Sequence, residues 1–257
     1  MAVWWSVVVV VVAAVLHTSQ AAHFPSKTSS LCQENSLQKL MLNQTGYVQY
    51  VHYFTQFPRL TAFTMHYWFN LISTNRTSTS FNYGLNELST NNNLTVQLVK
   101  EGQQFWTLQI NDQMVSKVPS KFVGVGEWHH MLHSWDSATG QWSVFMDGKL
   151  LSHGFDPKSV GLVVPGGGVA VSGQHQKTAI TGGMDRGEGL EGWFTLFQLS
   201  AQSIKDPTSN RAANVVASLT SKCTEDFGGD VISWRKTPRK GYGGVAETPG
   251  REVCGAF

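Results

Sequence analysis

The stretch LTAFTMHYWFNL, Leu60–Leu71, decides the fold class. Phe63, Met65, Tyr67 and Phe69 stand at every second position, with Thr64, His66 and Asn70 between them. A period of two puts the apolar side chains on one face of a strand, whereas a helix would need a period near 3.6. The same alternation returns in LTVQLV from Leu94, FWTLQI from Phe105, QWSVFMDG from Gln141 and GGVAVSG from Gly167, each bounded by turn residues. Asp147-Gly148 supplies a hairpin turn, since both residue types tolerate positive φ. The pattern predicts an all-β chain of antiparallel strands in a sandwich or jelly roll. One helix is expected after Pro207, where Ala212, Val215, Val216 and Leu219 take helical spacing and Ser209 can cap the first turn.

Outward from this run, the N-terminus reads MAVWWSVVVVVVAAVL without a charged side chain, followed by the small-residue stretch Ser19-Gln20-Ala21-Ala22. That is the layout of a cleavable secretory signal, here assigned to residues 1–22. The apolar run is shorter than the roughly 20 residues a membrane-crossing helix requires, so no transmembrane segment is expected after cleavage, and the mature chain is expected to be secreted. Sequons at Asn43, Asn75 and Asn93 agree with that route and mark candidate glycosylation sites. About 235 residues would remain, a length that one β-sandwich fills. The domain is expected over 23–234.

Residues 235–257 carry five Lys or Arg against two acidic side chains and are expected to form a flexible basic tail. The rest is nearly neutral, which argues against a nucleic-acid partner, because such a surface needs clustered cations. Three cysteines occur, Cys32, Cys223 and Cys254. In an oxidising compartment at least one pair should close, but any of the three pairings satisfies the count.

His129, His130 and His133 cluster in sequence, with His66 on another strand. Alternation sends His129 and His133 to one face and His130 to the other, so these residues read as core or surface histidines rather than zinc ligands. No strand carries the alternating carboxylates of a glycosidase, and no nucleophile elbow, His-Glu-x-x-His helix or P-loop is present. The chain reads as a binding protein and not an enzyme.

The segment WHHMLHSWDSATGQWSVFMDG, Trp128–Gly148, resembles the central strand pair of the pentraxin family. The family signature H-x-C-x-S/T-W-x-S/T is met by His130 to Ser137 at every position except the cysteine, where Leu132 stands. AFTMHYWFNL from Ala62, GGGVAVSGQHQ from Gly166, GGMDRGEGLEGWFTLFQLS from Gly182 and GGDVISW ending at Trp234 align with further family segments in the same order. The resemblance implies a two-sheet, concanavalin- or lectin-like jelly roll with one short helix. It also implies an innate-immune or lectin-like recognition role toward phospholipid headgroups, glycans or protein ligands, and often a cyclic homo-oligomer. A laminin-G-like adhesion module is the alternative on the same fold.

Two departures from the family follow residue by residue. The family disulfide would link the positions held by His66 and Leu132, so it is absent. The two-calcium loop falls on Asn91-Asn92, on His175-Gln176-Lys177, and on Asp185 and Glu188, with three carboxylates lost. Calcium needs six to eight hard oxygens, and an ammonium among them repels it. The expectation is at most one weak Ca2+ ion near Asn91, Asn92, the Gln176 carbonyl, Asp185 and Glu188. His175 and Lys177 are the candidates for holding an anionic ligand directly.

Overall fold

The alternation of Leu60–Leu71 is realised in a strand that buries Phe63, Met65, Tyr67 and Phe69 completely. The computed structural model describes residues 37–85, 92–120, 123–178, 181–221 and 229–250. The expected leader, Asn91 and all three cysteines lie outside them.

Within the described residues the strands run β1 (Gln38–Leu42), β2 (Tyr50–Tyr53), β3 (Ala62–Leu71), β4 (Ser78–Gly84) and β5 (Asn92–Glu101). They continue as β6 (Gln103–Ile110), β7 (Gln113–Pro119), β8 (His129–Asp136), β9 (Gln141–Met146) and β10 (Lys149–Phe155). After β11 (Val169–Ser172) and β12 (Gly192–Ser200) comes helix α1 (Asn210–Ser221), then β13 (Ile232–Ser233), β14 (Arg239–Tyr242) and β15 (Ala246–Pro249). One sheet orders as β10-β9-β8-β3-β12-β1-β15, with β13 on β12. The other orders as β14-β2-β11-β4-β5-β6-β7. All the ladders are antiparallel, so the chain is the all-β two-sheet sandwich that the pattern predicts.

The core lies between the sheets. Phe81 of β4 stacks on Phe197 of β12 with ring centroids 4.9 Å apart, and Trp106 of β6 meets Phe69 of β3 edge-on at 5.5 Å. Trp135 of β8 is fully buried against Phe63, and its indole N–H donates to Ser159 Oγ at 3.1 Å. That donor would cost free energy if buried without an acceptor. The hairpin between β9 and β10 turns at Asp147 and Gly148, with φ of 50° and 75°, as a two-residue turn of this hand requires.

Helix α1 forms where the spacing placed it. Ser209 Oγ accepts from the Ala212 amide at 3.2 Å, and Val216 and Leu219 close over Leu132 and Phe145 on the outside of the first sheet. Burying such a face against the sheet, more than helix propensity, holds a twelve-residue helix in place.

The C-terminal expectation is corrected. Residues 239–249 form β14 and β15, and not a flexible tail: Lys240 pairs with His52 of β2, and Leu40 of β1 pairs with Glu247. Three contacts explain why so basic a segment folds. The Arg239 guanidinium lies 3.9 Å above the Trp234 ring and pairs with Glu247 at 2.9 Å. Tyr242 stacks on Tyr50 at 4.9 Å. The sandwich therefore continues past Trp234 to Gly250, whose amide bonds the Leu37 carbonyl at 3.0 Å.

Candidate functional site on the outer face of the second sheet

Alternation along β4 sends Phe81 and Tyr83 into the core and leaves Asn82 on the outer face, beside Thr95 of β5. Asn82 and Thr95 are nevertheless buried, because the loop after β11 lies over them. Gln176 is the anchor. Its backbone N–H and its side-chain amide both donate to Asn82 Oδ1, at 3.1 and 2.9 Å, and its Oε1 accepts from the Thr181 amide at 2.9 Å. Asn82 in turn donates to Thr95 Oγ1 at 2.9 Å. This closed chain of amide bonds fixes the height of the loop above the sheet.

A second amide cluster fixes the base of the loop. Gln44 Nε2 donates to the carbonyls of Gln49 at 2.9 Å and Leu190 at 3.1 Å, while Gln174 Nε2 donates to Gln44 Oε1 at 2.9 Å. A Cβ at Gly189 would stand 2.5 Å from the Gln174 amide, so a side chain there would push this amide cluster apart. Arg76 completes the base, ion-paired with Glu191 and donating to the Arg186 carbonyl at 3.0 Å. Sequence reading missed Gln44, Asn82, Gln174 and Arg76, and no local signal marks them, because their partners lie up to 146 residues away.

On this platform three of the expected side chains converge. Glu188 Oε1 is 2.7 Å from Lys177 Nζ, and Glu188 Oε2 is 2.8 Å from His175 Nδ1. Desolvation would raise the Glu188 carboxyl, but hydrogen bonds from Lys177 and His175 and their charges outweigh it and hold the group below the usual carboxylate value. His175 Nε2 is buried without a partner. Asp185 is apart from this triad: its Oδ1 accepts from the Gly187 amide at 2.8 Å and caps the short 3-10 turn Arg186–Glu188.

The residues present do not fit a two-ion calcium site. Both oxygens of Glu188 are taken by cationic or N–H partners, and one Asp185 oxygen caps a turn. Asn92 begins β5 opposite Gly84; its side chain and Asn91 lie outside what the structure describes. Among the described residues the six to eight oxygens that calcium needs are not brought together, and a Lys ammonium occupies the acidic side chain at the centre.

The histidines on β8 separate as alternation requires. His133 points into the core near Trp106, with ring centroids 6.1 Å apart, and neither of its nitrogens has a partner. His129 is held by Asp147 at 2.9 Å. His130, on the other face, meets His66. Of the sequons, Asn75 is exposed and Asn43 half-buried. Asn93 is buried, donates to Asn111 Oδ1 at 3.0 Å and accepts from the Leu85 amide at 3.0 Å. Its amide is spent in the fold.

Comparison with known proteins agrees with this architecture. The Pentaxin family model matches residues 42–249. C-reactive protein 1.4 of Limulus polyphemus is 29% identical over 201 residues, covering 77% of this chain and 78% of that protein. Human neuronal pentraxin-2 is 27% identical over 197 residues, 77% of this chain and 42% of the relative. Among solved structures, the native heptameric SAP-like pentraxin from Limulus polyphemus superposes with a TM-score of 0.72 at 19% identity, over 86% of this chain and 98% of that one. With the signature strand His130–Ser137 in the core and the family match running through β14 and β15, this chain belongs to the pentraxin family.

Proposed function

We propose that this chain is a secreted recognition protein that binds anionic headgroups, phosphate or carboxylate carried on a lipid or glycan, through the His175–Glu188 face without calcium. The observation that carries the reading is the Lys177–Glu188 contact at 2.7 Å. Where a calcium ion would join a protein carboxylate to an anionic ligand, Lys177 joins the carboxylate through one N–H. An ammonium has two more, and Lys177 is part-exposed at 38%. A charge-assisted bond from such a donor to phosphate is among the stronger polar contacts available at a surface. The amide clusters beneath give the loop a fixed shape, so little ordering cost falls on binding.

Secretion rests on the leader-like N-terminus, and no helix among the described residues is long and apolar enough to cross a membrane. The Limulus SAP-like relative is heptameric; ring assembly of this chain would multiply a weak single-site affinity on a patterned surface. The test is retention on a phosphocholine resin in the presence of chelator. Wild-type protein is expected to be held and Lys177→Ala to pass through; loss of wild-type retention on adding chelator would overturn the reading.

A further inference from the structure

The first sheet carries a separate concavity on its helix side. A groove of about 810 Å³ lies between α1, the start of β3 and the segment 200–206, a size within the range of small-molecule sites. Its apolar lining comes from Ala62, Ile204, Ala212, Val215 and Leu219. Val215 is 41% exposed, although it sits among the apolar positions of the helix.

The charged groups lie at one end. Lys205 is ion-paired with Asp136, whose carboxylate also accepts from Ser203 Oγ at 2.9 Å. Asp206 Oδ1 is folded back onto Thr208, accepting from its amide at 3.1 Å and its hydroxyl at 2.8 Å. That leaves Arg211, exposed and without a carboxylate partner among the described residues, as the groove's cation able to take an anion from outside. Arg211, Val215 and Leu219 stand at i, i+4 and i+8, so they follow one another along a single face of α1. The rise from Arg211 to Leu219 is about 12 Å, close to the length of an acyl chain of about ten carbons.

We infer that this groove binds a free single-chain anionic amphiphile, with its carboxylate on Arg211 and its hydrocarbon along Val215 and Leu219. The charge order, cation at the N-terminal end of α1 and apolar surface beyond it, matches such a molecule head to tail. Burial of the chain supplies affinity, and the guanidinium selects the sign of the head. The site is independent of the His175–Glu188 face.

The experiment is calorimetry on the full-length secreted protein, in chelator, with dodecanoate below its micelle concentration. Dodecyltrimethylammonium and phosphatidylglycerol vesicles serve as the other arms. Dodecanoate is expected to bind one per chain, the cationic amphiphile not to bind, and Arg211→Glu to weaken dodecanoate about tenfold or more, as loss of a charge-assisted contact should. Val215→Asp, at an exposed position that leaves folding intact, is expected to abolish binding, while Lys177→Ala leaves it unchanged. Equal binding of both head charges, no effect of Arg211→Glu, binding to vesicles alone, or a Val215→Asp protein that falls from an oligomer to a monomer would each overturn the inference. The last result would assign the groove to a second copy of the chain.

Discussion

His66 Nδ1 lies 3.2 Å from His130 Nε2, and Thr220 of α1 stands 3.3 Å from the remaining nitrogen of His130. His66 is also directly opposite Leu132 in the β3–β8 ladder, at the two positions where the family places its disulfide. A hydrogen-bonded chain from β3 through β8 to the helix thus stands in place of a covalent link.

Directly opposed antiparallel residues have Cα atoms about 4.5–5.5 Å apart, within the span a disulfide accepts. The double variant His66→Cys, Leu132→Cys is therefore expected to oxidise readily and to gain about 2–4 kcal/mol, less the lost imidazole contact. Thermal melts with and without reductant read the result. A variant that melts at the same temperature in both would show that the two Cβ vectors diverge.

His133 is fully buried without a hydrogen-bond partner, and desolvation pushes its pKa down to about 3. Burial, with the neighbouring His66, likewise holds His130 well below the ordinary imidazole value. Both groups are neutral in the fold and take up protons more readily when unfolded. Their contribution is complete above the unfolded value near 6.5 and is lost as the pH falls below it. For His133 the loss is about 1.4 kcal/mol per pH unit down to about 3. His133→Leu is expected to flatten the dependence of urea midpoint on pH between 6 and 4, and to raise stability at pH 7 by removing two unpaired nitrogens. An unchanged slope would mean that the ring finds a partner on protonation.

The side chains that stand at the family's calcium positions are identifiable, so a calcium site should be restorable by substitution. Replacing His175→Glu and Lys177→Asp frees Glu188 and adds two carboxylates on the same platform. Calorimetry is expected to show calcium binding at least about tenfold tighter than in the wild type. A double variant as indifferent to calcium as the parent would place the defect outside this loop.

Removal of residues 235–257 takes one of the two ladder partners from each of β1 and β2, turning both into edge strands, and strips the Trp234 ring of its guanidinium. The expected cost is more than about 2 kcal/mol, from lost ladder bonds and ring contacts. Hydrogen exchange should speed up first at the amides of Gln38–Leu42 and Tyr50–Tyr53. A truncated chain with full protection there would show β14 and β15 to be marginal.

The strands were legible because burial on a pleated sheet imposes a period of two, and Phe63 to Phe69 repeat it without a fault. The Asp147-Gly148 turn and the Ser209 cap were legible for a similar reason, since each is a local backbone requirement met by a particular residue type. The basic segment after Trp234 was misread because composition stands in for solvation only while a charge has no partner. Arg239 has two, an indole face and Glu247, and a count of charges along the segment shows neither. A sequon likewise gives the acceptor residue, but not whether its amide is already bonded, as that of Asn93 is.

The sequence alone determined the class of fold, the helix and its cap, and the identities of the side chains that replace the calcium ligands. Tertiary structure decided how those replacements are used. Only folding brings His175 and Lys177 onto the two oxygens of one carboxylate, sets Gln176 onto Asn82 across 94 residues, and lines up Arg211 with an apolar groove. The physical reason is that periodicity encodes which way a side chain points relative to its own strand or helix. The partner it meets depends on how separate elements pack, and that is settled by the core as a whole.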